Sequence, residues 1–137
     1  MRSATFALVG LAAAARVQAH FTLQYPPTVG FSDDIEDQEP CGGFTPDFSN
    51  ATDFHVGGDA IAVKSTHPHS NWKIRATTDK TASGNWTDLV PTIKQSGLGD
   101  FCQPSVPAAE SLVGQQGVIQ IVQSGDDGSL YQVRTFV

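Results

Sequence analysis

Four histidines, at positions 20, 55, 67 and 69, and two adjacent aspartates, Asp126 and Asp127, are the side chains best suited to hold a metal. His20 stands apart because of what precedes it. Arg2 gives a charged start, "ATFALVGLAAAA" an apolar stretch, and "VQA" the small residues of a cleavage site. Residues 1–19 therefore read as a secretory leader, removed after Ala19. A chain that begins at His20 offers two neutral nitrogens, the α-amine and the ring Nδ1. Together they can close a six-membered chelate on one ion. Their reference pKa values, about 8 and about 6.5, make both protons easy to lose near neutral pH. A second imidazole would set three nitrogens in a T. That suits Cu(II), which favours tetragonal nitrogen and oxygen donors, better than zinc, which favours a tetrahedron.

His67 and His69, in "STHPHS", are the candidates for that second imidazole, and Pro68 stiffens the loop between them. A fourth donor could come from Asp126 or Asp127 in "SGDDGSLYQ", although a carboxylate there also serves simply to form the turn. The acidic run Asp33, Asp34, Glu36, Asp37 and Glu39 reads as a solvated loop, because its spacing does not match a calcium loop. GxSxG, HExxH, CxxC and phosphate-loop motifs are all missing.

The elements that must position these residues are strands. "FTLQY", "AIAVKS" (60–65), "NWKIRAT" (71–77), a short strand near "TIKQS", "GVIQIVQS" (117–124) and "LYQVRTFV" show alternation or β-rich composition. Residues 30–59, rich in Gly, Pro, Asp and Asn, read as loops, and "GDDG" as a turn. No segment sustains a 3.6-residue apolar period. The expectation is one all-β domain, residues 20–137, folded as an antiparallel β-sandwich.

The net charge is −6, and losing Arg2 and Arg16 with the leader makes the chain more acidic. A nucleic-acid partner is therefore not expected, since phosphate binding needs Lys and Arg patches. Cys41 and Cys102 form an even count in an oxidising compartment and are expected to pair. Such a bridge would close a loop of about sixty residues, worth about 4 kcal/mol in a chain-entropy account. Asn50 in "NAT" and Asn85 in "NWT" are expected glycosylation acceptors. The sequence shows no Ser/Thr-rich stalk and no hydrophobic tail, so no lipid-anchor signal is expected.

In order along the chain, "HFTLQYPPTVGFSDD", "EPCGGF", "STHP", "SGLGDFCQP" and "GDDGSLYQ" resemble the fungal copper-binding proteins similar to lytic polysaccharide monooxygenases, the copper acquisition factor-like family. The likeness runs from residue 20 to about residue 132. It implies an immunoglobulin-like β-sandwich with one copper in a histidine brace, here Cu(II). His20 matches the brace histidine, as amine and ring together. His67 matches the second histidine, with His69 as the alternative. Asp127 matches the aspartate that joins the copper, with Asp126 as the fallback. His55 has no counterpart and reads as structural. The resemblance further implies an extracellular protein, held at the cell surface and engaged in copper acquisition or homeostasis without polysaccharide oxidation. Its partners would be a copper ion and a membrane copper transporter or a cell-wall component. Val133 stands where the family carries a further cysteine, ahead of a linker and an anchor. Two other functions fit the residues less well: a copper-dependent polysaccharide monooxygenase, and a metal-free cell-wall or effector domain.

Overall fold

Alternating apolar residues become strands that bury one face. A computed structural model describes residues 19–137; the expected leader falls, apart from Ala19, outside the described residues. The strands are β1 (Phe21–Tyr25), β2 (Asp59–Ser65), β3 (His69–Thr77), β4 (Thr87–Asp88), β5 (Ile93–Ser96), β6 (Gly99–Val106), β7 (Gly117–Gly125) and β8 (Gly128–Phe136). A 3-10 turn, Glu110–Leu112, precedes β7. β1, β2 and β6 form a three-stranded sheet in the order β1-β2-β6. β4, β3, β7 and β8 form the second sheet, with β5 also pairing β3. All of these strand pairs are antiparallel, and the architecture is the expected all-β sandwich.

The inner faces meet through Phe21, Leu23, Ile61 and Val63 on one sheet and Trp72, Ile74, Ile119, Ile121 and Phe136 on the other. Burying each of these side chains stabilises the fold by about 1.5–3 kcal/mol. Trp72 is the hub. Phe21 meets its ring edge-on at 5.1 Å, and Phe101 stacks on it at 6.5 Å. Its indole N–H donates to Gln95 Oε1 at 2.8 Å, which satisfies the one polar atom of a buried tryptophan.

β7 is buried on both faces. Residues 26–58 lie over its outer side, where Cys41, Ala82, Val118 and Val133 form a second apolar cluster. The same segment pairs with the outer edge of β8. Val29 N–H donates to Val133 O (2.9 Å), Tyr131 N–H to Glu36 O (2.9 Å) and Thr52 N–H to Thr135 O (2.9 Å). An edge that would otherwise offer unpaired groups is thus covered. Gly42, in "CGG", allows the approach. It has φ +62, and a Cβ there would run into Tyr131 O.

Two expectations are corrected, and one strand is added. β6 is a full strand in a stretch, "GLGDFCQP", to which the sequence assigned no element. Its inward residues include few apolar ones and its outer face is largely exposed, so it carries little alternation to read. Cys41 and Cys102 are free thiols, not a bridge. Cys41 is buried on the outer face of the five-stranded sheet, and burial pushes its thiol up to about 11. Cys102 is exposed on β6 in the other sheet, one position from the inward Phe101. Finally, the acidic run is not solvated throughout: residues 30–58 are loops as expected, but Glu36 within the run is buried.

One side chain joins the sheets through hydrogen bonds. Gln132, on β8, is 1% exposed. Its Oε1 accepts from Leu23 N–H (3.1 Å), and its Nε2 donates to Phe21 O (2.6 Å) and to Glu36 Oε1 (2.7 Å). The carboxamide occupies the place of a strand partner along the free edge of β1. Gln132→Leu keeps most of the volume but strands these groups, each at a cost of about 1–3 kcal/mol. We expect a loss of about 3–5 kcal/mol overall. It should appear as a lower urea midpoint with an unchanged slope, and a midpoint equal to wild type would show that the staple contributes nothing.

Candidate metal centre

The register of β1 on β2 pairs Phe21 with Ser65 and so sets His20 beside Thr66. Thr66 N–H and Thr66 Oγ1 both donate to His20 O, at 2.9 and 3.0 Å, and His20 N–H donates to Thr66 Oγ1 at 2.8 Å. His67 follows at once. The β7–β8 turn, with Gly125 paired to Gly128, brings Asp126 and Asp127 to the same end of the sandwich.

His67 is 5% exposed. Its backbone N–H donates to Ser65 Oγ at 3.0 Å. Gln123 Nε2 donates to Ser65 Oγ (2.5 Å) and Ser70 Oγ (2.7 Å), so a buried polar cluster fixes the turn that carries the histidine. Gly125 fits the ring closely: a Cβ there would lie 3.3 Å from His67 Nδ1. Among the described residues, His67 Nε2 is buried and has no hydrogen-bond partner. A buried polar atom left in that state costs free energy and points to a missing partner. A cavity of about 60 Å³ lies here, lined by Ala19, Asp37, His67, Asp127, Ser129 and Leu130. It has room for an ion or a few waters.

The structure therefore separates the sequence candidates. His67 is buried and lines the cavity, whereas His69 is exposed at the start of β3. Asp127 lines the cavity and Asp126 does not. His55 lies away from the site, 78% exposed and paired with Asp59 at 3.0 Å at the opposite end of β2. His20 reaches the region through its backbone neighbour Ala19, but its ring turns elsewhere. Nδ1 lies 3.0 Å from Glu36 Oε2, with Asp33 Oδ1 at 3.9 Å. Among the described residues no three His, Cys, Asp or Glu side chains already converge as a metal cluster. An imidazole nitrogen without a partner and a carboxylate on one small cavity still form a donor set that a cation preferring nitrogen and oxygen fits.

Glu36 is the residue that sequence reasoning missed. It sits in the acidic run yet is 1% exposed. Burial pushes its carboxyl above the usual carboxylate range, while hydrogen bonds from Gln132 and His20 pull it back. Its acidic neighbours Asp33, Asp34, Asp37 and Glu39 are exposed, and no feature of the run singles it out.

Known proteins supply an independent measure. Residues 18–133 match the family described as copper acquisition factor BIM1-like. The chain is 32% identical over 147 residues to the lytic polysaccharide monooxygenase-like protein X325 of Yarrowia lipolytica, covering 99% of this chain and 54% of that protein. It is 30% identical over 133 residues to copper acquisition factor BIM1 of Cryptococcus neoformans var. grubii, covering 87% of this chain and 60% of the relative. An uncharacterized Aspergillus fumigatus protein is 33% identical, with 54% of its length covered. The chain thus spans little more than half the length of these relatives. Family match and identity agree with the landmarks "HFTLQYPP", "CGGF" and "GDDGSLYQ", and the chain belongs to the copper acquisition factor BIM1-like family.

Proposed function

We propose that this protein binds one Cu(II) ion outside the cell and serves copper acquisition, with copper as its cargo. The observation that carries this reading is the unpartnered Nε2 of buried His67, on a cavity shared with Asp127. Family membership supports the identity of the metal. In this reading residues 1–19 are a secretory leader and residues 20–137 the copper-binding domain. Cleavage frees the amine of His20, and the amine and ring of His20 join His67 and Asp127 as ligands. His69 and Asp126 are set aside because they do not line the cavity. Asn50 and Asn85 are both exposed, as glycan acceptors of a secreted or cell-surface protein must be. A transporter or a cell-wall component would take or supply the metal.

The anionic Asp127 oxygen favours Cu(II) over Cu(I) and fills a position that an oxygen species would need. Both effects favour holding and passing on the metal over turnover. The relative named as similar to a lytic polysaccharide monooxygenase keeps oxidation as the second reading. No oxidised oligosaccharide is expected from cellulose or chitin with a reductant, and brisk release would transfer the protein to that second reading.

The brace is tested on protein that begins at His20. Titration with Cu(II), followed by electron paramagnetic resonance, should show tight one-to-one binding. One extra residue ahead of His20 should remove it, and equal binding by the extended chain would eliminate the brace. Asp127→Ala should keep the nitrogen couplings and alter the spectrum; an unaltered spectrum would exclude Asp127 as a ligand. Gly125→Ala tests His67 from behind, because the new methyl presses on its ring. Copper binding should weaken by about 10–100-fold, the range seen when the residues supporting a metal ligand are lost. Full affinity in that variant would mean that the His67 ring is not a ligand.

A further inference from the structure

The Asn85 sequon lies at the end of the sandwich away from the copper cavity, and the fold gives it a groove. Asn85 stands at φ +57 in the loop between β3 and β4. Both of its neighbours are held. Thr77 Oγ1 donates to Gly84 O at 3.1 Å. Trp86 packs on the outer apolar cluster, with the Arg75 guanidinium 5.1 Å from its ring centre. The loop is thus fixed, and Asn85 lines a groove of about 410 Å³.

The groove crosses from one sheet to the other. One wall is Thr78 with the β4 residues Thr87 and Asp88; the other runs from Pro107 to Leu112, between β6 and β7. The polar side chains of Thr78, Thr87, Asp88 and Ser111 are exposed and free to exchange water for a ligand. Ala76, Leu89 and Leu112 give an apolar floor continuous with the core. This mixed lining suits a pyranose, which has apolar C–H faces and a rim of hydroxyls. The second wall has little support of its own. Its 3-10 turn, Glu110–Leu112, has no side-chain cap and buries no residue.

We propose that the glycan of Asn85 folds back into this groove, where its first N-acetylglucosamine joins β4 to the Glu110–Leu112 turn. This rests on the reading of Asn85 as an acceptor. Attachment exchanges one amide proton of Asn85 for a bond to the sugar's anomeric carbon, and the lipid diphosphate that carried the glycan leaves. The sugar is then tethered at the mouth of the groove, so seating it costs less freedom than capturing a free ligand. The volume falls in the range of roughly 300–1,000 Å³ of small-ligand pockets and takes the first ring with part of the next. A C–H face of the ring covers Leu89 and Leu112, and its polar rim meets Thr87 and Ser111. Asn50 serves as the control. Its carbonyl accepts from Arg134 on β8, at the other edge of the same sheet, and it does not line this groove.

The test uses the chain secreted from a eukaryotic host. Peptide mass mapping first reads occupancy. An unmodified Asn85 ends its reading as an acceptor and the proposal with it, and docking is judged on occupied chains. An endoglycosidase then leaves one N-acetylglucosamine at each site, and an amidase removes the whole glycan, leaving Asp. No substitution is introduced before folding, so the comparison does not depend on a variant that folds. Leu112 and Val113 N–H close the turn on Ala109 O and Glu110 O. Their hydrogen exchange should be about tenfold slower with the single sugar than without it. With ¹³C-labelled sugar, NMR should show the Asn85 acetyl methyl against Leu89 or Leu112 and the Asn50 acetyl moving freely. Equal exchange in the two forms, or two equally mobile acetyl groups, would overturn the proposal. Free chitobiose should bind neither form more weakly than the other only if the groove is open in both; equal binding would assign the groove to an external saccharide and overturn the proposal too.

Discussion

The Gln132 carboxamide is the constraint on which the candidate site depends. Backbone ladders hold each sheet together but do not cross from one to the other. Apolar packing presses the layers face to face without fixing their offset, since burial of apolar area has no direction. Hydrogen bonds do have direction. Gln132 pairs β8 with the free edge of β1 through Leu23 N–H and Phe21 O, much as another strand would. Its third bond reaches Glu36 and so ties the covering segment to the same point. His20, His67 and the β7–β8 turn lie on elements that this one amide brings into register.

The space between the sheets changes character along the strands. On β7 the inward series runs Ile119, Ile121, Gln123. At the end holding Ile119 the neighbours are Ala76, Phe136, Leu89 and Phe54, around an apolar cavity of about 170 Å³. At the Gln123 end they are Ser65, Ser70 and His67. The apolar end and the Trp72 hub supply burial, which stabilises at about 25 cal/mol per Å². The polar end contributes little net stability, because its hydrogen bonds mostly replace bonds to water. What it contributes is position: a satisfied buried network admits few arrangements. Stability and site geometry thus rest on different halves of one interface.

That division explains what could be read from the sequence. Strands such as 117–125 were legible because alternation and β-branched residues have a direct physical cause. β6 was not, because an edge strand exposed on one face needs no apolar period. The candidacy of His20 rests on its place beside a cleavage motif, which is a matter of chain order. Local residues alone did not separate His67 from His69, and only the resemblance favoured His67, because two histidines around one proline look alike until Ser65 and Gly125 orient one of them. The cysteine expectation failed because a count of thiols says nothing about layers: Cys41 lies in the segment covering the outer face of the larger sheet, and Cys102 on β6 of the other. Glu36 was hidden for a related reason. Burial of one acid in a row of five is set by a partner nearly a hundred residues away, Gln132.

The features at the polar end that conflict with local rules also share a sign. Glu36 is a carboxylate withdrawn from water. Gln123 Oε1 is a buried acceptor without a partner among the described residues, and His67 Nε2 can present a lone pair in the same condition. Exposed Asp127 adds a further anionic oxygen at the cavity. Glu36 is answered by Gln132 and His20, whereas His67 Nε2 is not answered by any described residue. Of these groups the His67 nitrogen and the Asp127 carboxylate share one cavity, and the copper proposed above answers both, since it accepts nitrogen as readily as oxygen.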